Sequence, residues 1–126
     1  MPKTVLVGPA AGPDPLPFSK VIEANGLVFV AGQIGDAPDS HGPVPGGIEA
    51  ETRAMLDNVG RLLREVGLEY SDVVKCTVYI VDFDEFATMN AIYREYFPTE
   101  APTRATVEVG RLALGARIEI EAIAAR

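Results

Sequence analysis

The chain has 126 residues, 48% hydrophobic and 23% charged, which suits one globular domain spanning residues 1–126 and excludes an intrinsically disordered protein. Its 18 acidic against 11 basic residues give a formal charge of -7, so no general electrostatic pull toward nucleic acid or an anionic membrane surface is expected. A single cysteine, Cys76, the absence of a basic and apolar leader, and apolar runs far short of the ~20 residues that cross a bilayer point to a reducing cytoplasm and no membrane span.

Along the chain, Pro and Gly concentrate at 8–17 and 35–47, which read as irregular connections. The second is unusually long, and connections of that length tend to be functional or mobile. Residues 19–24 and 27–31 flank Asn25-Gly26, a dipeptide suited to a two-residue hairpin turn with positive backbone angles. From Ile48 the apolar positions Met55, Leu56, Val59, Leu62, Leu63 and Val66 keep helical spacing, and Gly67 stands where a C-terminal cap belongs. Residues 72–81 are β-branched and mostly apolar, as in a central strand. Phe86, Met89, Tyr93 and Phe97 return to helical spacing before Pro98 stops the element.

The last stretch, 101–125, reads as a hairpin of two alternating strands. In the first, Ala105, Val107 and Val109 share one face and Arg104, Thr106 and Glu108 the other. In the second, Ile118, Ile120, Ala122 and Ala124 oppose Arg117, Glu119 and Glu121. A guanidinium set beside carboxylates is suited to gripping a small carboxylate. Two helices can cover one face of the sheet, yet 27–31 and 78–81 are apolar on both faces, so a second copy of the chain is expected on the other.

Other arrangements weigh less. Glu119 and Glu121 stand ~7 Å apart along one strand face, a spacing that alternating surface charge explains without glycosidase chemistry. Cys76 falls in phase with Val74, Val78 and Ile80 and reads as a small buried hydrophobe. His41, the single histidine, excludes a multi-histidine metal site by count. Gly46-Gly47 lacks the Gly-Lys-Ser/Thr of a phosphate loop and reads as a hinge or a helix entry.

Taken together, Phe18-Ser19, Ala31-Gly32-Gln33, Asp57-Asn58, Asn90-Ala91-Ile92-Tyr93, Pro102-Thr103-Arg104 and the run from Ile118 to Ala124 resemble the RidA (YjgF) family over nearly the whole chain. That resemblance implies an α+β, chorismate-mutase-like fold with two helices on one face of a mixed sheet, assembled as a homotrimer with clefts between subunits. It also implies a 2-iminobutanoate/2-iminopropanoate deaminase-like enzyme that hydrolyses small 2-imino or enamino acids, such as 2-aminoacrylate, to a 2-oxo acid and ammonia. No metal or organic cofactor is implied. Arg104 would hold the substrate carboxylate. Glu119 would position the attacking water, with the backbone carbonyl of Thr106 sharing it. Phe18, Gly32 and Asn90 would line or support the cleft.

This chain departs from the family's commoner pattern at several positions. Phe18 stands in place of Tyr and Thr106 in place of Cys; Leu16-Pro17 replaces Gly-Pro, and Leu112-Ala113 replaces Leu-Pro. Alternatives are a non-catalytic module binding 2-oxo acids, and a deaminase of a ring-cleavage product such as 2-aminomuconate. Ribonuclease or translation-inhibitor activity, attached to some relatives by name, fits poorly with the acidic balance.

Overall fold

In a computed structural model describing residues 2–126, the chain builds one mixed six-stranded sheet with two helices. The strands are β1 (Thr4–Val7), β2 (Val21–Ala24), β3 (Leu27–Ile34), β4 (Val73–Ile80), β5 (Thr103–Glu108) and β6 (Ile118–Ala125), in the spatial order β1-β2-β3-β6-β4-β5. All neighbours are antiparallel except β4 and β5. The helices are α1 (Gly47–Glu65) and α2 (Phe86–Tyr96).

Local chemistry explains most boundaries. Asn25 (φ 53°) and Gly26 (φ 77°) form the expected tight turn between β2 and β3. Gly67, at φ 82°, ends α1 in a Schellman arrangement, with Leu68 N–H donating to Leu63 O (2.9 Å) and Gly67 N–H to Arg64 O (3.1 Å). Leu63 and Leu68 are both buried there. Gly46-Gly47 forms the entry to α1.

One strand is added to the expected order, and two expectations need correction. The stretch 8–17 is an irregular connection, but β1 precedes it and extends the sheet at one edge. The C-terminal strands are not a hairpin: β4 lies between them, parallel to β5 and antiparallel to β6. The reason is burial. Strands β3 and β4, joined across α1, leave a one-strand gap, and β6 carries the inward row Ile118, Ile120, Ala122 and Ala124, all nearly inaccessible. That row belongs in the centre, where each buried Ile contributes ~1.5–3 kcal/mol. The corresponding row of β5 is Arg104, Thr106 and Glu108, which only an edge tolerates. A register irregularity between Val73 and Lys75 also turns Val74 outward, so Val73, not Val74, joins Cys76, Val78 and Ile80 in the core.

Both helices share one core with the sheet face that carries Val28, Val30, Cys76, Val78, Ile80 and Ile120. The opposite face has no covering layer among the described residues. It presents Val5, Leu27, Phe29 and Val107, each at least 36% exposed, among Lys75, Thr77, Tyr79, Glu119 and Glu121. The connection 35–47 is tied down at its base: the Asn58 amide donates to Ile34 O (3.0 Å), Asp36 O (3.1 Å) and Asp36 Oδ1 (2.8 Å).

Candidate active site

Arg104 lies opposite Cys76 across the β4–β5 pair, on the helix side of the sheet. Its guanidinium carbon stands 4.6 Å from the centre of the Tyr93 ring and 5.6 Å from that of Phe86. Such stacking contributes ~0.5–2 kcal/mol, according to how far the pair is desolvated. Each ring is itself backed, Tyr93 by Phe97 (4.8 Å) and Phe86 by Phe83 (5.0 Å). Among the described residues no carboxylate pairs with Arg104, whereas Arg53, Arg117 and Arg126 all meet glutamates. Its forked donors are therefore available to a ligand.

Around this guanidinium is a cavity of about 330 Å³ lined by Asn90, Tyr93, Arg94, Phe97, Ala101, Pro102 and Arg104. Thr106 follows on the same strand face, its hydroxyl buried without a partner. Burial pushes the Tyr93 phenol and the Cys76 thiol up from their ordinary values, so both are neutral at neutral pH.

Glu119 is elsewhere. It pairs with Tyr79 across the β4–β6 ladder and points to the open face of the sheet. Half-burial, reinforced by the neighbouring Glu121 charge, pushes its carboxyl above the ordinary carboxylate range. Glu121 is in turn held by the Tyr79 hydroxyl, which donates to Oε1 at 2.9 Å. Gly32 lies against Glu119, and a Cβ at position 32 would collide with Glu119 Oε2. Phe18 sits half exposed in the bend before β2, where its N–H donates to Leu16 O at 2.9 Å. Beside it, Ser19 lines a second cavity of about 380 Å³ on the open face, together with Phe29, Lys75 and Glu121.

The sequence-derived residues thus fall into separate groups. Arg104, Asn90 and Thr106 gather on the helix side, Glu119 and Gly32 on the open face, and Phe18 at the surface. The guanidinium and the carboxylates are not neighbours on one charged wall as the hairpin reading expects; the intervening β4 separates them. Sequence reasoning missed the aromatic shelf of Tyr93 and Phe86, read only as core spacing, and Arg94. Their common signal is the turn of α2 that carries Asn90, Tyr93 and Arg94 together.

Comparison with known proteins fixes the lineage. The family model described as endoribonuclease L-PSP matches residues 11–126. The chain belongs to this family, the RidA/YjgF family. Among RidA-family relatives, the mouse protein named 2-iminobutanoate/2-iminopropanoate deaminase is 40% identical over 86% of this chain and 80% of its own length. The Arabidopsis thaliana protein named Reactive Intermediate Deaminase A, chloroplastic, is 44% identical over 86% of this chain, but the match spans only 58% of the plant protein. Solved RidA-family structures superpose closely. The YjgF gene product of E. coli gives a TM-score of 0.81 at 38% identity, covering 98% of this chain and 96% of that one. E. coli TdcF with bound serine gives 0.82 at 36%, covering 98% and 95%. The α+β arrangement of mixed sheet and two helices is the RidA fold.

Proposed function

We propose that this chain hydrolyses small reactive 2-imino and enamino acids to a 2-oxo acid and ammonia, acting as a single-domain RidA-type deaminase of the cytoplasm. The observation that carries this reading is Arg104: a guanidinium held on two aromatic rings, without an acidic partner, in a cavity of substrate size. The mouse relative's name and the serine bound to E. coli TdcF support a small amino-acid-derived ligand.

In this mechanism Arg104 takes the substrate carboxylate in a forked pair, and Asn90 flanks it. Glu119 cannot serve the same substrate from within one subunit, because it leaves the sheet on the other face. The exposed apolar face with Phe29 and Val107 supports a closed homotrimer, in which Glu119 and Gly32 of the neighbouring subunit complete the cleft. Glu119, with its raised pKa, accepts a proton from water as oxygen adds to the C=N carbon, assisted by the carbonyl of Thr106. That proton passes to nitrogen to give the carbinolamine; its hydroxyl proton then follows to nitrogen as the C=O bond forms and the C–N bond breaks, releasing ammonia and the 2-oxo acid. Phe18 supplies an apolar wall with no hydroxyl to bind the water.

The test is ammonia release from freshly generated iminopropanoate. Acceleration that disappears in folded Arg104→Ala is expected. Release no faster than in buffer refutes deamination, and binding of pyruvate without turnover would favour a non-catalytic 2-oxo acid module.

A further inference from the structure

The cavity around Arg104 contains a second unpaired cation. Arg94 stands one helical turn beyond Asn90 on α2, is exposed, and lines the same cavity. Among the described residues it has no carboxylate partner; its chain neighbour Glu95 is turned away to Arg53, at 3.0 Å. The chain carries 18 acidic residues, yet none lines this cavity. Within one subunit this positive charge runs against the composition of the whole molecule, and the one carboxylate that the proposed trimer adds, Glu119 of the neighbouring subunit, balances at most one of the two guanidiniums. Two guanidiniums sharing one small cavity repel each other, and the repulsion is relieved most by a ligand carrying two negative charges.

We infer that the cleft prefers 2-imino acids bearing a second, distal carboxylate, with Arg104 taking the carboxylate beside the C=N bond and Arg94 the far one. This rests on the reading of Arg104 as the carboxylate anchor. The cavity volume, about 330 Å³, leaves room beyond a three-carbon acid, and Asn90, one turn before Arg94 on α2, adds a neutral hydrogen-bonding wall. Arg94 is thereby a specificity residue: it touches the substrate's far end and takes no part in the bond changes.

Stable 2-oxo acids serve as probes, 2-oxoglutarate as the dianion and 2-oxobutanoate as the monoanion, titrated calorimetrically into the full-length protein. The expected result is binding of 2-oxoglutarate about tenfold tighter than of 2-oxobutanoate, a preference that shrinks with salt, collapses in Arg94→Gln and survives in Arg94→Lys. Equal affinity for the two acids, or an unchanged ratio in Arg94→Gln, overturns the inference while leaving the Arg104 anchor intact. Failure of both acids to bind, or binding of both unchanged in Arg104→Ala, overturns the anchor and this inference with it. Circular dichroism of each variant excludes unfolding, which an exposed Arg94 gives no reason to expect.

Discussion

Arg104 and Glu119 leave opposite faces of one sheet, from strands separated by β4. Period-two alternation makes this separation rigid on the Glu119 side, since that residue cannot change face without a register slip of β6 that would expose Ile118 and Ile120. A reaction that uses both must draw them from different copies of the chain. Subunit association then becomes a condition of activity and not only of stability.

The carboxyl of Glu119 is raised by its own burial first and by Glu121 second. As a general base it must be ionised, so activity is lost as pH falls through its raised value. The acid limb of kcat/KM should therefore lie above ~4.3, the ordinary glutamate value. Glu121→Gln removes the neighbouring negative charge and should move that limb to lower pH, leaving the part due to burial. A pH profile of kcat/KM for the two proteins measures this; an acid limb unmoved by the substitution would contradict the assignment of Glu119.

Tyr93 positions Arg104 through its ring, not its hydroxyl. Tyr93→Phe keeps the ring and removes a buried hydroxyl that lies beside the weakly bonding Cys76 thiol and makes no strong hydrogen bond, so stability and KM should change little. Tyr93→Leu removes the stacking surface, worth ~1 kcal/mol or more, and should raise KM about fivefold to tenfold with a smaller effect on kcat. Steady-state kinetics with thermal melts separate the two variants; equal KM for both would show that the ring does not hold the guanidinium.

Gly32 leaves space that the Glu119 carboxylate occupies. Gly32→Ala forces that carboxylate aside, and displacing a positioned base should cost ~10²-fold in kcat. Because position 32 is exposed within one subunit, the isolated fold should survive, as far-UV circular dichroism would report. Full kcat with an intact fold would mean that Glu119 need not stand where it does.

Much of this architecture is legible from periodicity. Asn25-Gly26, the apolar stripe of α1 with Gly67 behind it, and the helical spacing from Phe86 to Phe97 are local signals, and local chemistry decides those elements. Strand order is not local. Residues 101–125 alternate as a hairpin would, and nothing in the alternation reveals that β4 intervenes; the clue lies in amplitude, because the inward row of β6 is wholly apolar while that of β5 begins with Arg104. β1 escaped notice because it is an exposed four-residue edge strand followed by Pro- and Gly-rich chain. Family resemblance is what singles out Arg104 and Glu119 as candidates, but their placement on opposite faces required the sheet.

The most direct measurement mixes subunits. Arg104→Ala and Glu119→Gln each remove one half of the proposed site, and both should be nearly inactive alone. Refolded together at equal ratio, they should recover about a quarter of the wild-type ammonia release, since one composite site in four would pair an intact Arg104 with an intact Glu119. A mixture no more active than its components, despite verified subunit exchange, would contradict a site shared between copies.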